Sequence, residues 1–274
     1  MSALQVDVKK AIASKNPKLA KRLPRFVIRW IEKLIHQEVI NQFLSEHENI
    51  SGIAFATCVV EKFAQISMEV INPEFIPKEG RSILVSNHPL GALDGLALIA
   101  LMGKYRTDIK FPVNDLLMAI QPLNGIFIPI NKHGRNDKEA AQELNNAYAS
   151  NDLILYFPAG LCSRKIKGKI QDLEWKKNII QKAKEYQRDI VPVFFEGRNS
   201  KRFYRIANWR KRLGIKTNLE MILLPDEMMK QKGNQYTITF GKPLPYATFD
   251  TTKTPAAWAA WLRKQIYRLP FLQK

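Results

Sequence analysis

Residues 82–95 read SILVSNHPLGALDG, a strand, a turn and a helix start in fourteen positions. The apolar run at 82–86 has the length and bounding of a buried strand. Pro89 and Gly91 mark a turn, and residues 92–103 read as helix. The same alternation continues outward from about residue 65. Strands are expected at 65–71, 82–86, 109–113, 126–130, 152–157, 190–195, 219–224 and 236–240, with helical stretches near 92–103, 135–150, 172–187 and 255–268. Short apolar runs alternating with helices predict an α/β fold with a mixed, largely buried β-sheet flanked by helices.

Upstream the pattern is different. Phe26, Trp30, Ile31, Leu34, Ile35, Val39 and Phe43 recur at helical spacing among Arg25, Arg29, Lys33 and Gln37, so residues 18–50 read as one basic amphipathic helix. Such a helix can lie in a bilayer interface or pack on a core. The expected division is an N-terminal helical region, residues 1–60, suited to membrane contact, and an α/β domain over residues 61–274.

The chain has 274 residues with 43 Lys and Arg against 25 Asp and Glu, a formal charge of +18. That surplus attracts anions in general, whether nucleic acid, anionic lipid or an acidic carrier protein. Cys58 and Cys162 stand far apart, which excludes a disulfide framework and a zinc site of paired cysteines. The N-terminus lacks the apolar core of a signal peptide, and no apolar run reaches the roughly 18 residues of a spanning helix. Membrane contact, where it exists, is therefore expected to be peripheral.

His88 and Asp94 are the candidate reacting pair. A histidine at a strand-to-helix corner sits where α/β sheets open their ligand crevice, and its pKa lets it accept a proton near neutrality. A carboxylate just beyond can bond the other ring nitrogen and stabilise the imidazolium as it forms. His36 and His47 fall on the N-terminal helix and His133 in a basic loop, with no comparable setting. No metal site is expected. Residues 201–216 interleave seven basic side chains with Phe203, Tyr204 and Trp209, a pattern that suits nucleic acid, an anionic bilayer, an acidic carrier, or simply a solvated face. Trp258, Trp261 and Phe271 lie on a second amphipathic stretch near the C-terminus.

The run NHPLGALDG resembles the His-Asp box of the glycerolipid acyltransferases, the PlsC-like group that includes lysophosphatidic acid acyltransferases. Three further blocks follow in order: residues 125–130 (GIFIPI), 157–164 (FPAGLCSR) and 190–193 (IVPV), so the resemblance covers roughly residues 65–245. It implies direct transfer of a fatty acyl group from an acyl-carrier-protein or coenzyme A thioester to the hydroxyl of a lysolipid. His88 would be the base and Asp94 its orienter, with no bound cofactor. It also implies that Asn87, Gly125, Phe127, Lys132, Phe157, Pro158, Gly160, Ser163, Arg164 and Lys165 serve substrate binding. Backbone amides around residues 89–91, or a nearby lysine, would hold the oxyanion.

Two departures stand out. Five residues separate His88 from Asp94 where the family usually has four, and the turn at Pro-Leu-Gly is expected to absorb the extra one. In the third block the family's Glu and phosphate-binding Arg are replaced by Ala159 and Cys162, with Arg164 and Lys165 just beyond. The FPAG variant, with Gly168, Asp172, Trp175 and the later runs FFEGRNSKRFYRIANWRKRLGIK, LLPDEMM and FGKPLP, resembles a bacterial branch often labelled hemolysin-like. Some of its members O-acylate lyso-aminolipids of the ornithine or glycine type, whose head is a carboxylate. The acceptor is thus expected to be either such a lysolipid or 1-acyl-glycerol-3-phosphate, met at an anionic membrane surface on the cytoplasmic face of the cell membrane. No nucleic-acid partner is expected on this reading. The rival readings are a basic nucleic-acid-binding protein and an inactive membrane-associated scaffold.

Overall fold

The computed structural model describes residues 5–15, 17–114, 117–130 and 137–272. Residues 18–50 are not one helix. Four short helices occupy the N-terminus: α1 (Val8–Lys15), α2 (Pro17–Arg22), α3 (Arg25–Leu34) and α4 (Gln37–Glu46). Pro24 breaks the run because it sits extended at φ −60°, ψ 146°, and His36 breaks it again in the left-handed region at φ 55°. Helix α5 (Gly52–Cys58) continues into a π-helical turn at Val59–Phe63, whose Val59 and Val60 are buried with Phe55 and Ala56.

Then follow β1 (Ser67–Ile71), β2 (Ser82–Ser86), α6 (Leu93–Met102), β3 (Ile109–Val113), β4 (Phe127–Pro129), α7 (Asp137–Ala149) and β5 (Leu153–Tyr156). A small hairpin, β6 (Arg164–Ile166) and β7 (Lys169–Gln171), precedes α8 (Asn178–Glu185), β8 (Asp189–Phe195), α9 (Lys201–Arg212), α10 (Leu224–Lys230), β9 (Gln235–Phe240) and α11 (Pro255–Ile266). The hairpin turns on Lys167 and Gly168, both at positive φ (48° and 81°), as a two-residue turn between twisted strands requires.

The main sheet has seven strands in the order β1-β9-β8-β2-β5-β3-β4. Strands β8, β2, β5, β3 and β4 run parallel, β9 pairs antiparallel with β8, and β1 runs parallel to β9, so the sheet is mixed as expected. Strand β2 lies at its centre and is buried along its whole length. Ile83 and Val85 face a core shared with α8 and α11, while Leu84 faces the core built around α5 and α6. Helix α6 is buried on every side, which explains why LDGLALIALM has no polar face.

The run LEMILL at 219–224, expected as a strand, is a 3-10 turn (Leu219–Leu223) leading into α10. Two local forces decide this. Pro225, Asp226 and Glu227 favour a helix start there. Glu220 is fully buried and paired with Arg164 (2.7 Å) and Arg210 (2.7 Å), contacts made from the turn. The helical stretch at 172–187 also begins late, at Asn178, because residues 172–175 are held by side-chain bonds described below.

Candidate active site

His88 and Asp94 meet. The ring Nδ1 lies 3.0 Å from Asp94 Oδ2, at the carboxyl end of β2 and the first turn of α6. The turn between them absorbs the extra residue through Gly91, whose φ of 95° a residue with a side chain rarely adopts. A Cβ there would also stand 2.8 Å from Leu224 Cδ2. Asp94 is 0% exposed and fully engaged: Oδ2 also accepts from the amides of Leu90 (2.9 Å) and Gly91 (3.4 Å), and Oδ1 from that of Gly95 (2.9 Å). Placed at a helix start, a carboxylate is further favoured by the peptide dipoles.

The imidazole stacks on Phe157, ring centroids 4.2 Å apart, and its side chain is 14% exposed. With Nδ1 held by Asp94, the neutral ring carries its lone pair on Nε2. Burial pulls the ring toward its neutral form, but the Asp94 charge and hydrogen bond, with Asp172 beyond, outweigh it, and the pKa stands above the ordinary histidine value. Such a group can take a proton from a hydroxyl and return it to a leaving group.

A second carboxylate organises the backbone around this pair. Asp172 accepts from the His88 amide (3.2 Å), the Ser163 hydroxyl (2.6 Å) and the Trp175 indole (2.9 Å). Its own amide donates to the Tyr267 hydroxyl (2.8 Å), and Arg263 donates to its carbonyl (2.7 Å). The Ser163 amide in turn donates to the His88 carbonyl at 2.7 Å. Asp172 therefore locks the His88 corner, the third block and α11 together. In sequence it stood out only through the bacterial-branch resemblance, because its partners lie 84 and 95 residues away.

The cleft beside His88 holds about 880 Å³, its open mouth included, and Phe127, Phe157, Pro158 and Gly160 line it together with apolar side chains such as Leu96, Phe111 and Val113. The other expected binding residues are placed differently. Asn87 is buried and braces β2 against β8, donating to the Phe195 carbonyl (2.9 Å) and accepting from its amide (2.7 Å). Ser163 is spent on Asp172, and Lys165 is exposed on β6 away from the cleft.

Arg164 faces inward and does not line the cleft. It is buried, with Nη2 on Glu220 (2.7 Å) and Nη1 on the Cys162 carbonyl (2.5 Å), because the fully buried Glu220 carboxylate is costly unless a cation pairs with it or other donors satisfy it. Gly125 is exposed outside the cleft, its carbonyl accepting from Lys110 at 2.8 Å. Lys132 and His133 lie outside the described residues. The amides at Leu90 and Gly91, expected to hold an oxyanion, already donate to Asp94, and Pro89 has no N–H to give. Cys162 is no alternative nucleophile: burial pushes its thiol up to about 11.

A family model described as "Acyltransferase" matches residues 10–272. A lyso-glycine lipid O-acyltransferase of Bacteroides thetaiotaomicron is 45% identical over 269 residues, covering 98% of each chain. One of the same name from Phocaeicola vulgatus is 43% identical, covering 98% of this chain and 96% of its own. Among solved structures, the 1-acyl-sn-glycerophosphate (LPA) acyltransferase PlsC from Thermotoga maritima aligns with 80% of this chain and 78% of its own at 18% identity, TM-score 0.47. That last likeness is too distant to bear on substrate or mechanism.

Proposed function

The chain belongs to the acyltransferase family, and from that premise we propose that it O-acylates a lysolipid with a glycine-type head, drawing the acyl group from a soluble thioester. The observation that carries this reading is the His88–Asp94 pair at 3.0 Å beside a largely apolar cleft. His88 Nε2 takes the proton of the lysolipid hydroxyl while that oxygen attacks the thioester carbonyl carbon. Asp94 balances the imidazolium as it forms. The tetrahedral intermediate then expels the thiolate, the C–S bond breaks, and His88 returns the proton to sulfur. One ester and one thiol result, with no acyl-enzyme and no resident cofactor.

The glycine head follows the names of the 45% and 43% identical relatives. The donor is an acyl-carrier-protein or coenzyme A thioester, either of which presents the same reacting carbon. Release of free thiol from such a donor should require the lysolipid and yield one diacyl product per thiol, read by thiol titration beside lipid mass spectrometry. Thiol release at the same rate without acceptor would point to a thioesterase and overturn the reading.

No helix among the described residues is long and apolar enough to cross a membrane. A peripheral seat on the cytoplasmic face of an anionic membrane is supported by α3, where Phe26 (72% exposed) and Trp30 (57%) sit one turn apart beside exposed Arg25 and Arg29. Buried Ile28 faces the other way. Helix α9 adds Trp209, 64% exposed, with exposed Arg205 and Arg212, and is tied to the turn between α3 and α4 through Asp226 of α10, which bonds both His36 (3.0 Å) and Arg202 (3.6 Å). Replacing Phe26 and Trp30 together by serine should weaken partitioning onto phosphatidylglycerol-containing vesicles by at least about 10-fold. Unchanged co-sedimentation would remove α3 from the contact.

A further inference from the structure

The geometry points to Lys176 as the residue that binds the head-group carboxylate of the acceptor, an inference that rests on the functional reading above. Among the described residues that line the cleft, Lys176 is the one lysine or arginine, and it lines the same cavity as His88, Pro158 and Gly160. It makes no ion pair among the described residues, whereas Arg164 and Arg210 are both paired with Glu220. Its ammonium lies over the turn of the third block, 3.3 Å from where a Cβ on Gly160 would stand. The absent side chain at Gly160, whose φ is 66°, thus leaves the ammonium its place at the cleft.

The backbone beneath Lys176 is fixed. Its amide donates to the Pro158 carbonyl at 3.1 Å, and its neighbour Trp175 is buried and bonded to Asp172. The same carboxylate that anchors His88 therefore sets the distance from the base to this cation. The charge count suits a carboxylate better than a phosphate monoester. A phosphate near neutrality carries more than one charge and is best met by the paired donors of a guanidinium, whereas Lys176 supplies a single point charge. Arg164, the arginine of the third block, is turned into the protein against Glu220.

The test compares wild type with Lys176→Met and Lys176→Arg, using a lyso-glycine lipid as its free acid and as its methyl ester. Lys176 is exposed, so folding is not at stake. The methionine variant should raise the acceptor KM for the free acid by about 10- to 100-fold, the loss of one charge-assisted bond. The arginine variant should recover part of it, the donor KM should stay put, and on the methyl ester the three proteins should differ by less than about threefold. Equal KM values on the free acid would overturn the inference. So would a kcat loss of equal size on both acceptors, which would place the ammonium on the thioester oxygen, or a rise in donor KM, which would place it on a donor phosphate. A wild-type protein that acylates neither acceptor overturns the functional reading as well; an active wild type beside an unchanged methionine variant overturns the inference alone.

Discussion

His88→Ala should lower acyl transfer by at least about 10³-fold while the protein stays folded, because what is lost is the base, its stacking on Phe157 and its bond to Asp94. Asp94 does not become an orphaned charge in this variant. It keeps the amides of Leu90, Gly91 and Gly95 as donors, so the stability change should stay within about 2 kcal/mol. Vesicle binding should be unchanged, since α3 is untouched. Turnover above a tenth of the wild-type rate would mean that another group takes the proton.

The second large effect concerns stability. Arg188 is 0% exposed and has no carboxylate bonded to it among the described residues; its guanidinium donates instead to five main-chain carbonyls. These belong to Tyr148 (2.7 Å), Ser82 (3.4 Å), Asp152 (2.6 Å), Ala147 (2.9 Å) and Ser150 (2.6 Å). The side chain thus closes the end of α7, the turn into β5 and the start of β2 around a single cation. Burial, with Arg81 nearby, lowers its pKa to about 10, which still leaves it charged at neutral pH.

Arg188→Met keeps much of the volume and removes the guanidinium from all five; the Ala147 carbonyl keeps the Ser150 hydroxyl (2.9 Å) and that of Tyr148 keeps Arg81 (3.5 Å), and each carbonyl left without a donor costs about 1–3 kcal/mol before relaxation. A net loss of about 3–5 kcal/mol is expected in urea unfolding, with Arg188→Lys recovering only part because an ammonium cannot span the same fork of acceptors. A loss below about 1 kcal/mol would show that water replaces the guanidinium. Because β2 carries His88 at its end, the methionine variant should also lose activity at lower temperature than wild type.

What could be read from the residues alone follows the range of the forces involved. Strand β2, helix α6 and the turn between them are specified within the single stretch 82–102, by an apolar run, Pro89, Gly91 and a second apolar run, and all three stand where expected. The side chains of His88 and Asp94 meet for the same local reason, with Gly91 at positive φ bending the chain back. Long-range pairing was hidden. Arg164 looked like an anion ligand because its partner, Glu220, lies 56 residues on in a segment whose apolar pattern suggested a strand. Asp172 gave no local sign of reaching the His88 amide. The break of the N-terminal helix was half visible: Pro24 is a stated breaker, but nothing in the residues around His36 announces a left-handed backbone.

The central claim is that one imidazole, charged more readily because Asp94 lies against it, is the base for the incoming alcohol. Its most direct measurement is kcat/KM against pH for wild type and Asp94→Asn with saturating thioester. The wild-type rate should fall on the acid side with a midpoint above the ordinary histidine value of about 6.5, since the folded pKa is raised and protonated His88 cannot accept a proton. In Asp94→Asn the plateau should drop by about 10²- to 10⁴-fold and the acid limb should move to lower pH, because the charge that favoured the imidazolium is gone. An acid limb that keeps its midpoint in the asparagine variant would contradict the account.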